Sequence, residues 1–136
     1  ILQQKLNQRL KMNPLPKIKF LEEKKTSQAG RIEKILEELK IAFQEIYGKD
    51  LKGIILYGSY ARGSADQDSD IDLLLLLQRI KSPAAEIDRC SQKIGEIELK
   101  YDTLISLVPV AEKDFKLKKL PLFLNAKKEG VPIYAG

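Results

Sequence analysis

The sequence predicts an α/β domain in which short apolar strands alternate with helices. Apolar residues recur at helical spacing from residue 27 to residue 47, and Gly48 ends that pattern. Residues 52–57 form a short apolar segment that ends at the turn residue Gly58. Residues 70–78 are apolar on both faces after Asp72, which is typical of a strand in the centre of a sheet.

The remaining elements are predicted from turn and cap residues. A short helix is expected from Ser59 to Gly63, followed by a polar loop over 64–69. Ser82 and Pro83 predict the N-cap and the first position of a helix, whose buried stripe is expected to comprise Ile87, Cys90, Ile94 and Ile97. The later segments are expected to form a strand over 99–109, a helical turn near 112–115, a helix over 121–129 and a strand over 131–134.

Composition excludes several kinds of chemistry. The chain has 136 residues, enough for one domain with a sizeable core. It has no histidine and a single cysteine, Cys90, which excludes an internal disulfide, His-dependent nucleophilic triads and zinc sites built from Cys and His. Any metal chemistry must therefore use oxygen ligands, which favour Mg²⁺ or Mn²⁺.

Hydropathy predicts a cytoplasmic protein without membrane contact. The longest apolar run, Leu73–Leu77, is far shorter than the ~20 residues that a membrane-spanning helix needs. No secretory apolar region follows the start of the chain.

The positive charge is confined to the beginning of the chain. Residues 1–25 contain seven Lys or Arg and two acidic residues, which accounts for the whole net charge of +5. We expect 1–25 to be a basic arm or linker and 26–136 to be the domain. The arm is either a solvated leader or a contact for nucleic acid or an acidic partner. Because the chain begins with Ile1, a fragment, a tag remnant or a processed product is expected, with Met12 as a candidate natural start.

The turn after the first strand has the residues of a phosphate site. A strand that ends in Gly58 and Ser59 and runs into a helix presents free backbone N–H groups. Gly58 permits close approach of a phosphate, and the Ser59 hydroxyl can donate a hydrogen bond to it. Arg62, one turn further on, can add charge-assisted hydrogen bonds.

Two carboxylates open the second strand. Asp70 and Asp72 are two residues apart, so their side chains share one face of that strand. Paired carboxylates repel each other unless a cation lies between them, and a divalent ion would bridge them to phosphate oxygens. Asp102, on the expected third strand, is the candidate for a third carboxylate in a two-metal site, with Glu98 as the fallback. Asp66 and Asp68 are expected to be solvated or to form turns.

These residues resemble a known signature. Gly58 and Ser59, ten intervening residues, and then Asp70-Ile71-Asp72 are similar to the motif of the DNA polymerase β-like nucleotidyltransferases, and more narrowly to the minimal nucleotidyltransferases (MNT). The resemblance covers roughly residues 30–136. It implies a small mixed sheet flanked by helices, and Mg²⁺-dependent transfer of a nucleoside monophosphate from a nucleoside triphosphate.

The resemblance also implies roles for individual residues. Gly58 and Ser59 would bind the triphosphate of ATP, with Arg62 and Ser69 as further candidate nucleotide-binding residues. Asp70 and Asp72 would hold two Mg²⁺ ions. Asp102 would bind the catalytic ion and help to deprotonate the attacking hydroxyl.

The resemblance suggests a protein partner. Minimal members of this group are often antitoxins that transfer AMP to a tyrosine of a HEPN-domain ribonuclease toxin. Two alternatives stay open: an antitoxin that neutralises its toxin by contact alone, and a small-molecule nucleotidyltransferase with its acceptor pocket between two subunits. The sequence does not identify the base, the acceptor or the stoichiometry.

Overall fold

The computed structural model describes residues 27–136, and their side chains from residue 30 onward. The predicted arm, residues 1–25, lies outside the described residues. Within 27–136 the chain forms five helices, a 3₁₀ turn and four strands. In chain order they are α1 (Ser27–Tyr47), the 3₁₀ turn (Gly48–Asp50), β1 (Leu51–Tyr57), α2 (Gly58–Arg62), β2 (Ile71–Leu77), α3 (Pro83–Tyr101), β3 (Ile105–Ala111), α4 (Glu112–Leu117), α5 (Pro121–Glu129) and β4 (Val131–Ala135).

The strands form one mixed sheet in the order β3-β2-β1-β4. β1 runs antiparallel to both β2 and β4, whereas β2 and β3 are parallel and are joined by the helix α3. The predicted fold class, a small mixed sheet flanked by helices, is therefore confirmed.

Alternation along β2 builds two cores, one on each face of the sheet. Ile71, Leu73, Leu75 and Leu77 join a large cluster with the buried residues of α1 and α3. Leu74 and Leu76 join a smaller cluster with Phe115 of α4 and Phe123 of α5. Because every second residue of a strand shares a face, Asp72 lies on the α4 and α5 side of the sheet.

Local signals in the sequence explain most of the boundaries. The Ser82 hydroxyl accepts a hydrogen bond from the backbone N–H of Ala85 at 3.1 Å, which confirms the predicted N-cap of α3. Pro121 occupies the first turn of α5, as predicted. No helix among residues 27–136 is both long enough and apolar enough to cross a membrane.

The predicted third strand begins too early. The helix α3 continues to Tyr101, and β3 starts only at Ile105. Asp102 is the C-cap of α3 with a positive φ of 50°, so it does not lie on a strand. The guanidinium of Arg31 donates hydrogen bonds to the carbonyls of Tyr101 and, at 3.1 Å, of Asp102, which stabilises this helix end where carbonyls lack partners within the helix.

The predicted buried stripe of α3 was wrong at one position. Cys90 and Ile97 are buried and Ile94 packs against the core, but Ile87 is 45% exposed. Its neighbour Glu86 is buried instead, and the Tyr47 hydroxyl donates a hydrogen bond to its carboxylate at 2.9 Å. On this turn of α3 the buried residue is therefore Glu86, hydrogen-bonded to Tyr47, and not the predicted Ile87.

Candidate functional site

The candidate site lies at the end of the sheet where β1 ends and β2 begins. Tyr57, the last residue of β1, pairs with Asp72 across the antiparallel ladder. Gly58 then opens the short helix α2. The fold thus brings the two halves of the motif together.

Gly58 and Asp72 are in direct contact. The φ of Gly58 is +75°, and a Cβ placed there would lie 2.2 Å from Oδ2 of Asp72. Only glycine satisfies both the backbone conformation and this close approach. The Asp72 carboxylate is therefore held against the backbone at the start of α2, beside the expected phosphate site.

Asp70 and Asp72 flank the first residue of β2, and the charge of Asp70 acts on Asp72. Asp70 lies just before β2 and is exposed, whereas Asp72 is half-buried. Burial raises the pKa of the Asp72 carboxyl above its usual range, the nearby Asp70 raises it further, and Arg62 acts in the opposite direction. Two carboxylates this close favour a bound cation, because a cation would relieve their repulsion.

Arg62 lies between two acidic groups. It is close enough to Asp72 to act on its pKa, and its guanidinium is 3.9 Å from the carboxylate of Glu129 at the end of α5. Both side chains of this ion pair are about half exposed, so Arg62 can exchange Glu129 for a phosphate at little cost.

The loop before β2 is held by a compact turn. The Asp66 carboxylate accepts a hydrogen bond from the backbone N–H of Asp68 at 2.8 Å, and the Ser69 hydroxyl accepts one from the backbone N–H of Asp66 at 3.0 Å. Asp66 is thus a turn former, as expected. The hydroxyl of Ser69 is engaged in this turn, which leads directly into Asp70.

A cleft of about 630 Å³ borders Asp70. Its lining includes residues of the 67–70 loop, Arg31 of α1 and the segment 101–104 that follows α3. Asp102 lines this cleft from the helix end rather than from a strand.

The predicted third carboxylate, Asp102, lies at the end of α3. Among residues 27–136, no three acidic, cysteine or histidine side chains are grouped so that they could hold one metal ion. Asp102 borders the same cleft as Asp70 but lies in the C-cap of α3 and not on a strand, so its role as a third metal ligand stays a prediction. Glu98, the predicted fallback, stays at the end of α3, where its carboxylate accepts a hydrogen bond from the backbone N–H of Ile105 at 2.9 Å.

Two neighbours of Asp72 were not predicted as site residues. Tyr57 pairs with Asp72 from β1, and Ser106 pairs with it from β3. Burial raises the pKa of the Tyr57 hydroxyl, and the Asp72 charge raises it further. The antiparallel pairing of the first two strands could have indicated Tyr57 as a neighbour of Asp72. The proximity of Ser106 to Asp72 depends on the register between β2 and β3, which are far apart in the sequence.

Comparison with known families identifies the class of protein. Residues 32–128 match the family described as the nucleotidyltransferase domain. This match covers most of the chain, so the chain belongs to the nucleotidyltransferase domain family, and the family resemblance of the motif is confirmed.

Relatives from Methanocaldococcus jannaschii carry a more specific name. The chain is 37% identical to MJ1305 over 89 residues, which cover 63% of this chain and 59% of that protein. It is 31% identical to MJ0604 over 103 residues, which cover 75% of this chain and 97% of that protein. Both are provisionally named protein adenylyltransferases. The chain spans less than two thirds of the length of MJ1305.

Solved structures share the fold at low sequence identity. A toxin-antitoxin structure with AMP-PNP aligns with a TM-score of 0.57 at 18% identity, covering 74% of this chain and 73% of that one. A Sulfolobus solfataricus protein, provisionally described as a nucleotidyltransferase, aligns with a TM-score of 0.56 at 19% identity and coverages of 81% and 88%. The complex of tri-AMPylated Shewanella oneidensis HEPN toxin with MNT antitoxin aligns with a TM-score of 0.53 at 15% identity and coverages of 76% and 72%.

Proposed function

We propose that this chain transfers AMP from ATP to a hydroxyl group in a Mg²⁺-dependent reaction. The observation that carries the proposal is the contact of Gly58 with Asp72, which joins a phosphate-binding turn to a pair of carboxylates. Membership of the nucleotidyltransferase family and the name of the Methanocaldococcus relatives support the same reaction. Since ATP is the donor, we propose that the protein acts in the cytoplasm.

The donor atoms of the site suit magnesium. Asp70 and Asp72 offer only carboxylate oxygens, and proteins bind Mg²⁺ through one or two carboxylates together with substrate phosphates. Asp72 is half-buried beside a second carboxylate, with Arg62 as a partial counter-charge. We propose that these two aspartates hold the metal, which would neutralise phosphate charge and polarise the reacting phosphorus.

The other motif residues position the nucleotide. We propose that the backbone and hydroxyl of Ser59, beside Gly58, donate hydrogen bonds to the triphosphate, and that Arg62 leaves Glu129 to contact it. Ser69 acts indirectly, because its hydroxyl holds the turn that orients Asp70. The acceptor oxygen attacks the α-phosphorus and loses its proton to solvent. The bond from that phosphorus to the oxygen bridging to the β-phosphate breaks, and pyrophosphate leaves.

We propose that the acceptor is a tyrosine of a HEPN-type toxin. Chains of similar fold occur in toxin-antitoxin structures, including one with a tri-AMPylated HEPN toxin. The relatives are named for action on proteins. Together these favour a macromolecular acceptor over a small alcohol.

The test is transfer of labelled AMP from ATP to the protein encoded beside this one, which the proposal expects to be of the HEPN type. Wild type with Mg²⁺ should label it. Asp70→Asn and Asp72→Asn should each lower the rate about 100-fold or more, because metal ligands supply several kcal/mol of transition-state stabilisation. Asp88→Asn, an exposed change near the start of α3, is the matched control and should retain the wild-type rate.

Two results would replace this proposal. If no AMP is transferred and both aspartate variants still neutralise the neighbouring protein, the chain acts by contact alone. If no protein is labelled but a small alcohol is turned over, the chain is a small-molecule nucleotidyltransferase.

A further inference from the structure

The strand beside the aspartate pair presents a serine where a third carboxylate would be needed. β2 and β3 are parallel, and their register pairs Asp72 with Ser106. Paired residues on adjacent parallel strands point to the same face, about 4.8 Å apart along the sheet. Ser106 is exposed, so its side chain is open to solvent on that face. This is the position from which a carboxylate could share a metal with Asp72.

No residue at a neighbouring position supplies the third carboxylate that Ser106 lacks. Leu104 precedes Ser106 by two residues and is 63% exposed, and Val108 follows by two residues and packs against the smaller core. Asp102 lies in the left-handed cap of α3, and the Glu98 carboxylate is engaged with the backbone of Ile105. The face of β3 beside the pair therefore carries no acidic side chain.

A second divalent ion would need the negative charge of an acidic side chain on β3. Two doubly charged ions repel each other four times as strongly as two unit charges at the same separation, and the ions of two-metal sites lie only ≈ 3.5–4 Å apart. Carboxylates shared between the ions offset this repulsion. Asp70 and Asp72 with a triphosphate are sufficient for one ion, which is the usual manner of Mg²⁺ binding.

We propose, building on the proposed function, that this site binds a single divalent ion with its nucleotide, and that Ser106 is the residue that limits it to one. The expectation of two Mg²⁺ ions then fails because the register places a hydroxyl, not a carboxylate, beside Asp72. Introducing a carboxylate at residue 106 should create the second site.

The experiment counts bound Mn²⁺ by electron paramagnetic resonance, with saturating non-hydrolysable ATP analogue and the full chain. Wild type should bind a single Mn²⁺, and Ser106→Asp should bind a second. Ser106→Ala and Asp102→Asn should each keep a single ion. Ser91→Asp is the matched control: it adds the same charge at an exposed position of α3 and should also keep a single ion.

Three outcomes contradict the inference in distinguishable ways. Two ions in wild type would overturn it while leaving the proposed function intact. A single ion in a Ser106→Asp protein with wild-type thermal stability would overturn the role of Ser106. Absence of nucleotide-dependent Mn²⁺ binding in wild type would contradict the proposed function itself, and the inference with it.

Discussion

At the scale of single residues, the site depends on a glycine that contacts a carboxylate. Gly58 combines a φ of +75° with the close approach to Asp72. A side chain there would strain the turn and displace Oδ2 of Asp72. The absence of a Cβ at Gly58 therefore permits both the turn at the start of α2 and the position of the Asp72 carboxylate.

We expect Gly58→Ala to lose both stability and transfer activity. The left-handed conformation costs roughly 1–2 kcal/mol for a residue with a Cβ, and the contact with Asp72 adds to that cost. Gly95→Ala, within α3, is the matched control, because its Cβ would meet no atom within 4 Å. That variant should gain about 0.5–1 kcal/mol, as alanine does over glycine in a helix. Chemical denaturation and AMP transfer measure the two properties; equal behaviour of the two variants would refute the role of Gly58.

At the scale of secondary-structure elements, α1 secures the end of α3. The Tyr101 hydroxyl donates a hydrogen bond to the Glu38 carboxylate, and the Lys100 ammonium lies 3.1 Å from the same carboxylate. Arg31 lies about two turns before Glu38 on α1, and its guanidinium donates hydrogen bonds to the last carbonyls of α3. These contacts determine where α3 ends, and thereby which residues begin β3.

We expect the stabilisation from Glu38 to depend on pH. Hydrogen bonds from Tyr101 and Lys100 lower the pKa of the Glu38 carboxyl below its ordinary 4.5. A lowered pKa means that the ionised form stabilises the fold above the unfolded-state pKa and that this benefit is lost as the pH falls through the folded-state value. Glu38→Gln should therefore cost up to about 1 kcal/mol at neutral pH, since the side chain is partly exposed.

The measurement is the free energy of unfolding from pH 7 to pH 3. The difference between wild type and Glu38→Gln should shrink as the pH falls below about 4.5. Glu33→Gln, an exposed change on α1, serves as the control and should show a smaller difference throughout. A difference for Glu38→Gln that grows in acid would contradict the assigned contacts.

At the scale of the whole molecule, the excess positive charge and the candidate site belong to different parts of the sequence. Residues 26–136 contain 17 basic and 17 acidic residues, so the excess charge belongs to residues 1–25. The sheet, both cores and the candidate site are all formed within residues 27–136. We therefore expect nucleotide binding to need no contribution from the basic arm.

We expect deletion of residues 1–25 to leave nucleotide affinity unchanged. Calorimetric titration with the ATP analogue and Mg²⁺ measures this directly. Any binding of RNA should be lost in the same deletion, because the positive charge that drives such binding is removed. Retained RNA binding, or weakened nucleotide binding by a folded deletion protein, would show that arm and site are coupled.

Prediction from the sequence succeeded where the signal was local. The helical period of residues 27–47, the Ser82 cap and the Pro121 start are each decided within a few residues, and all were confirmed. The strand prediction failed over residues 99–104, because the end of a helix and the start of a strand have similar apolar and β-forming residues there. Contacts from Arg31 and Glu38, some 60–70 residues earlier, decide between them.

The available chemistry follows from the amino-acid sequence: oxygen ligands only, a Gly-Ser turn, and two aspartates two residues apart. Which of these groups meet depends on the folded chain. It placed Gly58 against Asp72, kept Asp102 at a helix end and brought Ser106 beside Asp72. These contacts join residues far apart in the chain, because the parallel strands β2 and β3 are brought together only through the crossover helix α3.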